Sequence, residues 1–288
     1  MPLPNGLPIV DHHCHLSPSG AGVDAARRFR RAGGTHLFLA TQNYAAGVPR
    51  SLEGYSEQFT TTEALAQRVE AETGVTVYLV VAPYPVDLVE ATAELGVGAA
   101  LELHRTALDL AGRWVRERRA VALGEVGRPH FPVAPEVGEA ANRALDHALA
   151  VARDSGCPVV VHSEDLDITG YRDLAERAER AGLPRERVVK HYARSRLPAS
   201  ERSAVTPSYL ARRDLVRDVV GDPSPWFLET DFLDDPARPG AVLDLATIPR
   251  RAAALSETPD VDRLWIPFVD SVEKVYGFRP EFSRAGGQ

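Results

Sequence analysis

The segment Asp11-His12-His13-Cys14-His15 packs three imidazoles into four positions. Read as a strand, whose side chains alternate between faces, it turns Asp11, His13 and His15 to one side and His12 and Cys14 to the other. Two neutral imidazoles on one face can share a divalent cation. An isolated HxH pair is weak evidence of a metal; recurrence gives this one its weight. Gly124-Glu125-Val126-Gly127, Val161-His162-Ser163, Lys190-His191-Tyr192 and Glu229-Thr230-Asp231 each close a β-rich run with a potential ligand. If those runs lie side by side in a parallel sheet, six ligands meet at one end of it: His13, His15, Glu125, His162, His191 and Asp231.

The chemistry expected of such a set is two-metal hydrolysis. His13 and His15 hold one ion, His162 and His191 the other. Glu125 bridges them with its two oxygens, and Asp231 reaches the first. Two ions roughly 3.5–4 Å apart clamp a bridging hydroxide and offset charge developing on the substrate. Asp231 then deprotonates the water and returns the proton to the leaving group, so Asp231 and Glu125 are the expected catalytic residues. Asp11 and Glu229 share the inward parity one step deeper and are expected to accept N–H groups of ligand histidines. Arg128 and His130, next to Glu125 in the chain, are candidates for substrate binding. Lys190 and Arg194 read as solvated loop charges, and His12 and Cys14 as packing residues facing a helix layer. His36, His104 and His147 read as ordinary structural histidines.

The elements that must position these residues follow from patterning. Apolar β-rich runs near Ile9–His15, His36–Thr41, Thr76–Val81, Val121–Val126, Val159–Ser163, Val188–Tyr192, Ser203–Thr206 and Trp226–Asp231 alternate with helix-compatible segments. Examples are Glu136–Ser155 before Gly156 and Tyr171–Ala181 before Gly182, glycines being common helix stops. Eight such repeats predict an α/β fold, a single (β/α)8 TIM barrel over residues 1–288, with the metal site at the C-terminal ends of the strands. Polar residues 42–61 read as a loop over the barrel mouth, 261–278 as a closing helical region and 279–288 as a tail.

Composition narrows the function classes. The 288 residues are 44% hydrophobic and 25% charged, with formal net charge −7. That is ordinary for a globular protein and unlike a surface built to grip nucleic-acid phosphates. The arginine groups at 27–31 and 116–119 lie in helix-compatible segments and read as solvated faces. Two cysteines, Cys14 and Cys157, are too few for a disulfide framework and form no CxxC motif. With neither a signal peptide nor a membrane-length apolar run, the expectation is a cytoplasmic protein with no obligate protein partner. The ligand chemistry suits zinc, manganese, iron, nickel or magnesium.

In order, the motifs DxHxH, GExG, HS, H and ETD resemble the TatD group of metal-dependent hydrolases, among the amidohydrolase-like barrels. The resemblance spans nearly the whole chain and implies the same six metal ligands, two divalent ions and hydrolysis of phosphodiesters, typically in DNA. Three departures mark a divergent branch. Arg128-Pro129-His130 replaces the usual Leu-Asp after GExG, Glu164 stands where the family has arginine, and Phe232-Leu233 replaces a proline-containing turn. An amidohydrolase or lactonase is the alternative, since the same hydroxide attacks a carbonyl. A barrel that binds metal without turnover is the non-enzymatic reading.

Overall fold

The computed structural model describes residues 3–44, 47–235, 237 and 242–281. Strands and helices alternate through most of it: β1 (Val10–His15), α1 (Gly22–Arg31), β2 (His36–Ala40), α2 (Leu52–Thr73), β3 (Thr76–Val81), α3 (Pro85–Arg116), β4 (Ala122–Gly127) and α4 (Pro135–Ser155). Next come β5 (Val159–His162), α5 (Ile168–Ala181), β6 (Val188–Ala193), β7 (Thr206–Leu210), α6 (Arg213–Val219), β8 (Phe227–Glu229), β9 (Phe232–Leu233), α7 (Thr247–Leu255) and α8 (Ser271–Tyr276). All strand pairs are parallel, in the order β8-β7-β6-β5-β4-β3-β2-β1-β9. The two edges, β8 and β9, are separated in the chain only by Thr230 and Asp231, and the sheet between them curls. Among the described residues, no helix is long and apolar enough to cross a membrane.

The strands are apolar on both faces, as parallel strands covered on each side must be. Leu37, Leu39, Leu79, Val81, Val159 and Val161 pack outward with Phe29, Phe59, Leu108, Leu149 and Leu174 of the surrounding helices. Their neighbours Phe38, Val80, Val160 and Val189 pack inward, with Phe268, Val272 and Val275 of the C-terminal helical region plugging that side. Burial of each such side chain contributes about 1.5–3 kcal/mol.

Several boundaries differ from those read in the sequence. Residues 52–61, expected in the mouth loop, begin α2: Ser51 accepts from Gly54 N–H at 3.3 Å, and Tyr55, Phe59 and Thr62 bury one helical face. Gly54 and three consecutive threonines mask that periodicity. The seventh strand runs Thr206–Leu210 rather than 203–206, because Ser203 and Ala204 turn with φ of 51° and 67°. Its second residue is Pro207, which reads as a strand breaker. The eighth strand, expected at Trp226–Asp231, is split into β8 and β9, so among the described residues nine strand segments stand where eight were anticipated. Helix α4 ends at Gly156 and α5 at Gly182 as expected, both left-handed. The closing segment 261–278 is helical in pieces, and of the expected tail only 279–281 lie within the described residues.

Candidate metal centre

Strand β1 does not alternate simply. Its pairing with β2 slips between Asp11 and Cys14, placing three steps of β1 against two of β2. The bulge re-aims the side chains that follow. His12 therefore does not face the helix layer: it stacks on Phe227 at 3.8 Å, lies 4.8 Å from Phe38, and its Nε2 sits 2.7 Å from the Tyr276 hydroxyl. Cys14 keeps the outward position in the helix-facing core, its thiol 3.6 Å from the Phe38 backbone carbonyl. His13 and His15 both reach the interior at the C-terminal end of β1.

There the four histidines converge on Glu125. Its Oε1 lies 3.0 Å from both His13 Nε2 and His15 Nε2; its Oε2 lies 2.7 Å from His162 Nδ1 and 3.4 Å from His191 Nε2. The nitrogens also face each other, His13 to His15 at 3.1 Å and His162 to His191 at 3.2 Å. Asp231 Oδ1 stands 3.8 and 3.9 Å from the His13 and His15 nitrogens. Ligands on a tetrahedral ion with 2.0–2.1 Å bonds are separated by roughly 3.3 Å, so the spacing fits a divalent cation. His13, His15 and Asp231, and likewise His13, Glu125 and His191, hold their ligand atoms within 4.8 Å of one another.

Electrostatics point the same way. Burial pushes His13 down to about 4 and lowers His162, which favours the neutral imidazole that a metal takes. Burial opposes charge on Glu125, yet His191 and hydrogen bonds from His13, His15 and His162 outweigh it and hold the carboxylate well below its usual range. Burial likewise opposes charge on His191, but Glu125 and Glu229 raise it to about 10. The spot therefore demands positive charge, which a proton or a cation satisfies. Burial lifts Asp231 to about 7.

Supporting groups hold this geometry. Glu229, fully buried, lies 3.3 Å from His191 Nδ1 and accepts Tyr192 N–H at 2.6 Å. Asp11 supports backbone rather than the ring N–H expected of it: it accepts Thr230 N–H at 3.0 Å, the Thr230 hydroxyl at 2.6 Å and His13 N–H at 3.2 Å. Asp231 N–H in turn donates to the His13 carbonyl at 3.0 Å. Both Tyr192 and Asp231 are held left-handed, with φ of 56° and 49°, a conformation that costs a non-glycine residue about 1–2 kcal/mol. Gly127 (φ 134°) sits where a Cβ would come within 2.1 Å of the His162 carbonyl oxygen, so β4 and β5 close together only with glycine here.

The centre opens into a cleft of about 820 Å³ lined by His15, Glu125, His162, His191 and Asp231, and by His130, Tyr84, Tyr44, Asn43, Tyr192, Lys190 and Arg194. His130 Nδ1 is 2.9 Å from His162 Nε2, beside the Tyr84 hydroxyl at 3.3 Å. Arg128, expected at the substrate, is instead turned to Glu164 at 3.0 Å and Asp173 at 2.7 Å, tying the β4–α4 loop to α5. Lys190 is not a solvated charge. It is 2% exposed, its Nζ donates to the His191 carbonyl at 2.6 Å, and burial lowers it to about 8. Tyr84, Asn43 and Tyr192 escaped the sequence reading, which sought only ligands at strand ends. Tyr84 and Asn43 are set by the buried Asp87, which accepts from Tyr84 N–H at 3.2 Å and Asn43 Nδ2 at 2.9 Å.

The family model described as TatD related DNase matches residues 10–269. An uncharacterised protein of Methanocaldococcus jannaschii is 30% identical over 94% of this chain and 96% of its own. Among solved structures, a TatD-like protein of Archaeoglobus fulgidus superposes with TM-score 0.62 at 15% identity, covering 93% of this chain and 100% of that one. A mutant of a phosphotriesterase-like lactonase from Deinococcus radiodurans reaches 0.57 at 16%, covering 96% and 97%. The strand-end ligand pattern, the curled parallel sheet and the match over most of its length agree: this chain belongs to the TatD-related family.

Proposed function

We propose that the cleft hydrolyses phosphoester bonds with two divalent cations, one held by His13, His15 and Asp231 and the other by His162 and His191, with Glu125 serving both. The chain is read as one domain, a (β/α)8 barrel whose eighth strand is β8 and β9 together, with the metals at the C-terminal ends of its strands. One observation carries the reading: a single buried carboxylate meets four imidazoles, two at each oxygen. Such ions, when bound, offset charge developing on the substrate and lower the pKa of water. Asp231, at the open side of the centre, takes the proton of the attacking water and delivers it to the leaving oxygen. His130, in the cleft wall, contacts the substrate, and Glu229 steadies His191.

A second reading, hydrolysis of a lactone or amide, is favoured by the neutralisation of Arg128 and by the likeness to the lactonase fold. Metal quantification on purified protein, with phosphodiester, phosphomonoester, lactone and amide probes beside a His13→Ala/His15→Ala control, decides between them. About two metals with control-sensitive phosphodiesterase activity support the first. Turnover confined to carbonyl substrates supports the second, and protein that retains no metal sinks both.

A further inference from the structure

The polar wall of the cleft is unevenly charged. Asp165, Asp234 and Asp235 stand around it, in addition to Glu125 and Asp231. Two cations face them among the described residues, and they are not equivalent. Lys190 is buried with its ammonium spent on the His191 carbonyl. Arg194 is exposed, and no carboxylate among the described residues pairs with it. Its guanidinium carbon lies 5.8 Å from the centre of the Tyr192 ring, within cation–π range. That ring is in turn 6.0 Å from His191. Tyr192 thus stands between His191 and the guanidinium of Arg194, which among the described residues has no carboxylate partner.

Tyr192 is not loosely placed. Its N–H is held by the buried Glu229 carboxylate, the group that also faces His191, so the ring and the metal-binding imidazole share one anchor. Polynucleotide binding draws much of its affinity from several lysines or arginines that neutralise phosphates along the strand. Among the described residues this cleft offers a single arginine or lysine with no carboxylate partner and no buried carbonyl contact, Arg194. Its volume of about 820 Å³ is that of a small-molecule site.

We infer that Arg194, held over Tyr192, binds an anionic group of the substrate remote from the scissile bond, and that the substrate is a small ester bearing one such group rather than a nucleic-acid strand. The inference rests on the hydrolase reading of the same cleft. Arg194 is a specificity-determining residue: its charge-assisted hydrogen bonds form equally in ground and transition states and so act on KM.

Matched probes test it on the metal-loaded protein. Methyl p-nitrophenyl phosphate is compared with its carboxyethyl counterpart, and p-nitrophenyl butyrate with mono-p-nitrophenyl glutarate. Arg194→Gln is expected to raise KM for the carboxylate-bearing member of the active pair roughly 10- to 100-fold. Its kcat should stay within about threefold, the plain member should be unaffected, and Arg194→Lys should recover most of the loss. Equal effects on both members, or no effect on either, overturn the assignment, as does efficient cleavage of long duplex DNA by the wild type. A wild-type protein that binds metal but is inert on all four probes overturns the hydrolase reading itself, a result distinct from a tail-independent Arg194 variant.

Discussion

Replacing Glu125 with glutamine probes the proposed two-metal centre at the residue whose carboxylate meets all four imidazoles. The amide keeps the side-chain shape, removes the charge, and presents an NH2 group to two imidazoles where a carboxylate oxygen stood. Because Oε1 serves His13 and His15 at 3.0 Å and Oε2 serves His162 and His191 at 2.7 and 3.4 Å, both positions weaken together. Losing even an indirect supporting group costs metal sites up to roughly 100-fold in affinity, so a direct ligand costs at least that, about 2.7 kcal/mol per ion. Asp231→Asn, whose carboxylate approaches only His13 and His15, should weaken one position and spare the other. The assay is metal content by mass spectrometry after loading and desalting, paired with melting temperature in the presence and absence of metal. Wild type should retain about two ions, Asp231→Asn about one and Glu125→Gln fewer than one. At roughly 2–4 °C per kcal/mol, metal-dependent stabilisation in Glu125→Gln should shrink by roughly 5 °C or more for each ion. Wild-type stoichiometry in Glu125→Gln would refute the shared-carboxylate reasoning, and so would loss of both ions in Asp231→Asn.

Three further outcomes follow from packing and burial. Gly127→Ala should destabilise the protein by about 2–4 kcal/mol in urea titration and lower metal content, because the added methyl meets the His162 carbonyl oxygen and pushes apart the strands that carry Glu125 and His162. Tyr276→Phe removes the 2.7 Å partner of His12, whose Nδ1 already lacks one, and should cost about 1–3 kcal/mol with metal content unchanged. Burial, reinforced by neighbouring His147, lowers His104 to about 3, beneath the 6.5 of the unfolded chain. The unfolded state therefore takes up the proton first, and stability falls as pH drops below 6.5. Between pH 7 and pH 5 the wild type should lose about 2 kcal/mol more than His104→Leu in urea midpoints. Identical losses would show that His104 is protonated as readily in the folded state.

The candidate metal ligands were legible in the sequence because each is a chemically distinctive residue ending an apolar β run, and a parallel sheet has one end at which such runs all finish. The glycine stops of α4 and α5 were legible for a comparable reason: a left-handed helix end favours glycine whatever the tertiary context. Other features depend on contacts distant in the chain. The β1 bulge that carries His12 inward is set by register against β2, which strict alternation conceals. The start of α2 was hidden by residues of low helix propensity, and only the core under Tyr55 and Phe59 overrides them. Whether a charge near the site is free or spent is likewise a tertiary matter. Arg128 is neutralised by Glu164 and Asp173, the second of them 45 residues away, whereas Arg194 is left to face the cleft. Residue type thus determined what could bind a metal, while burial and long-range pairing decided which neighbouring groups remain available to a substrate.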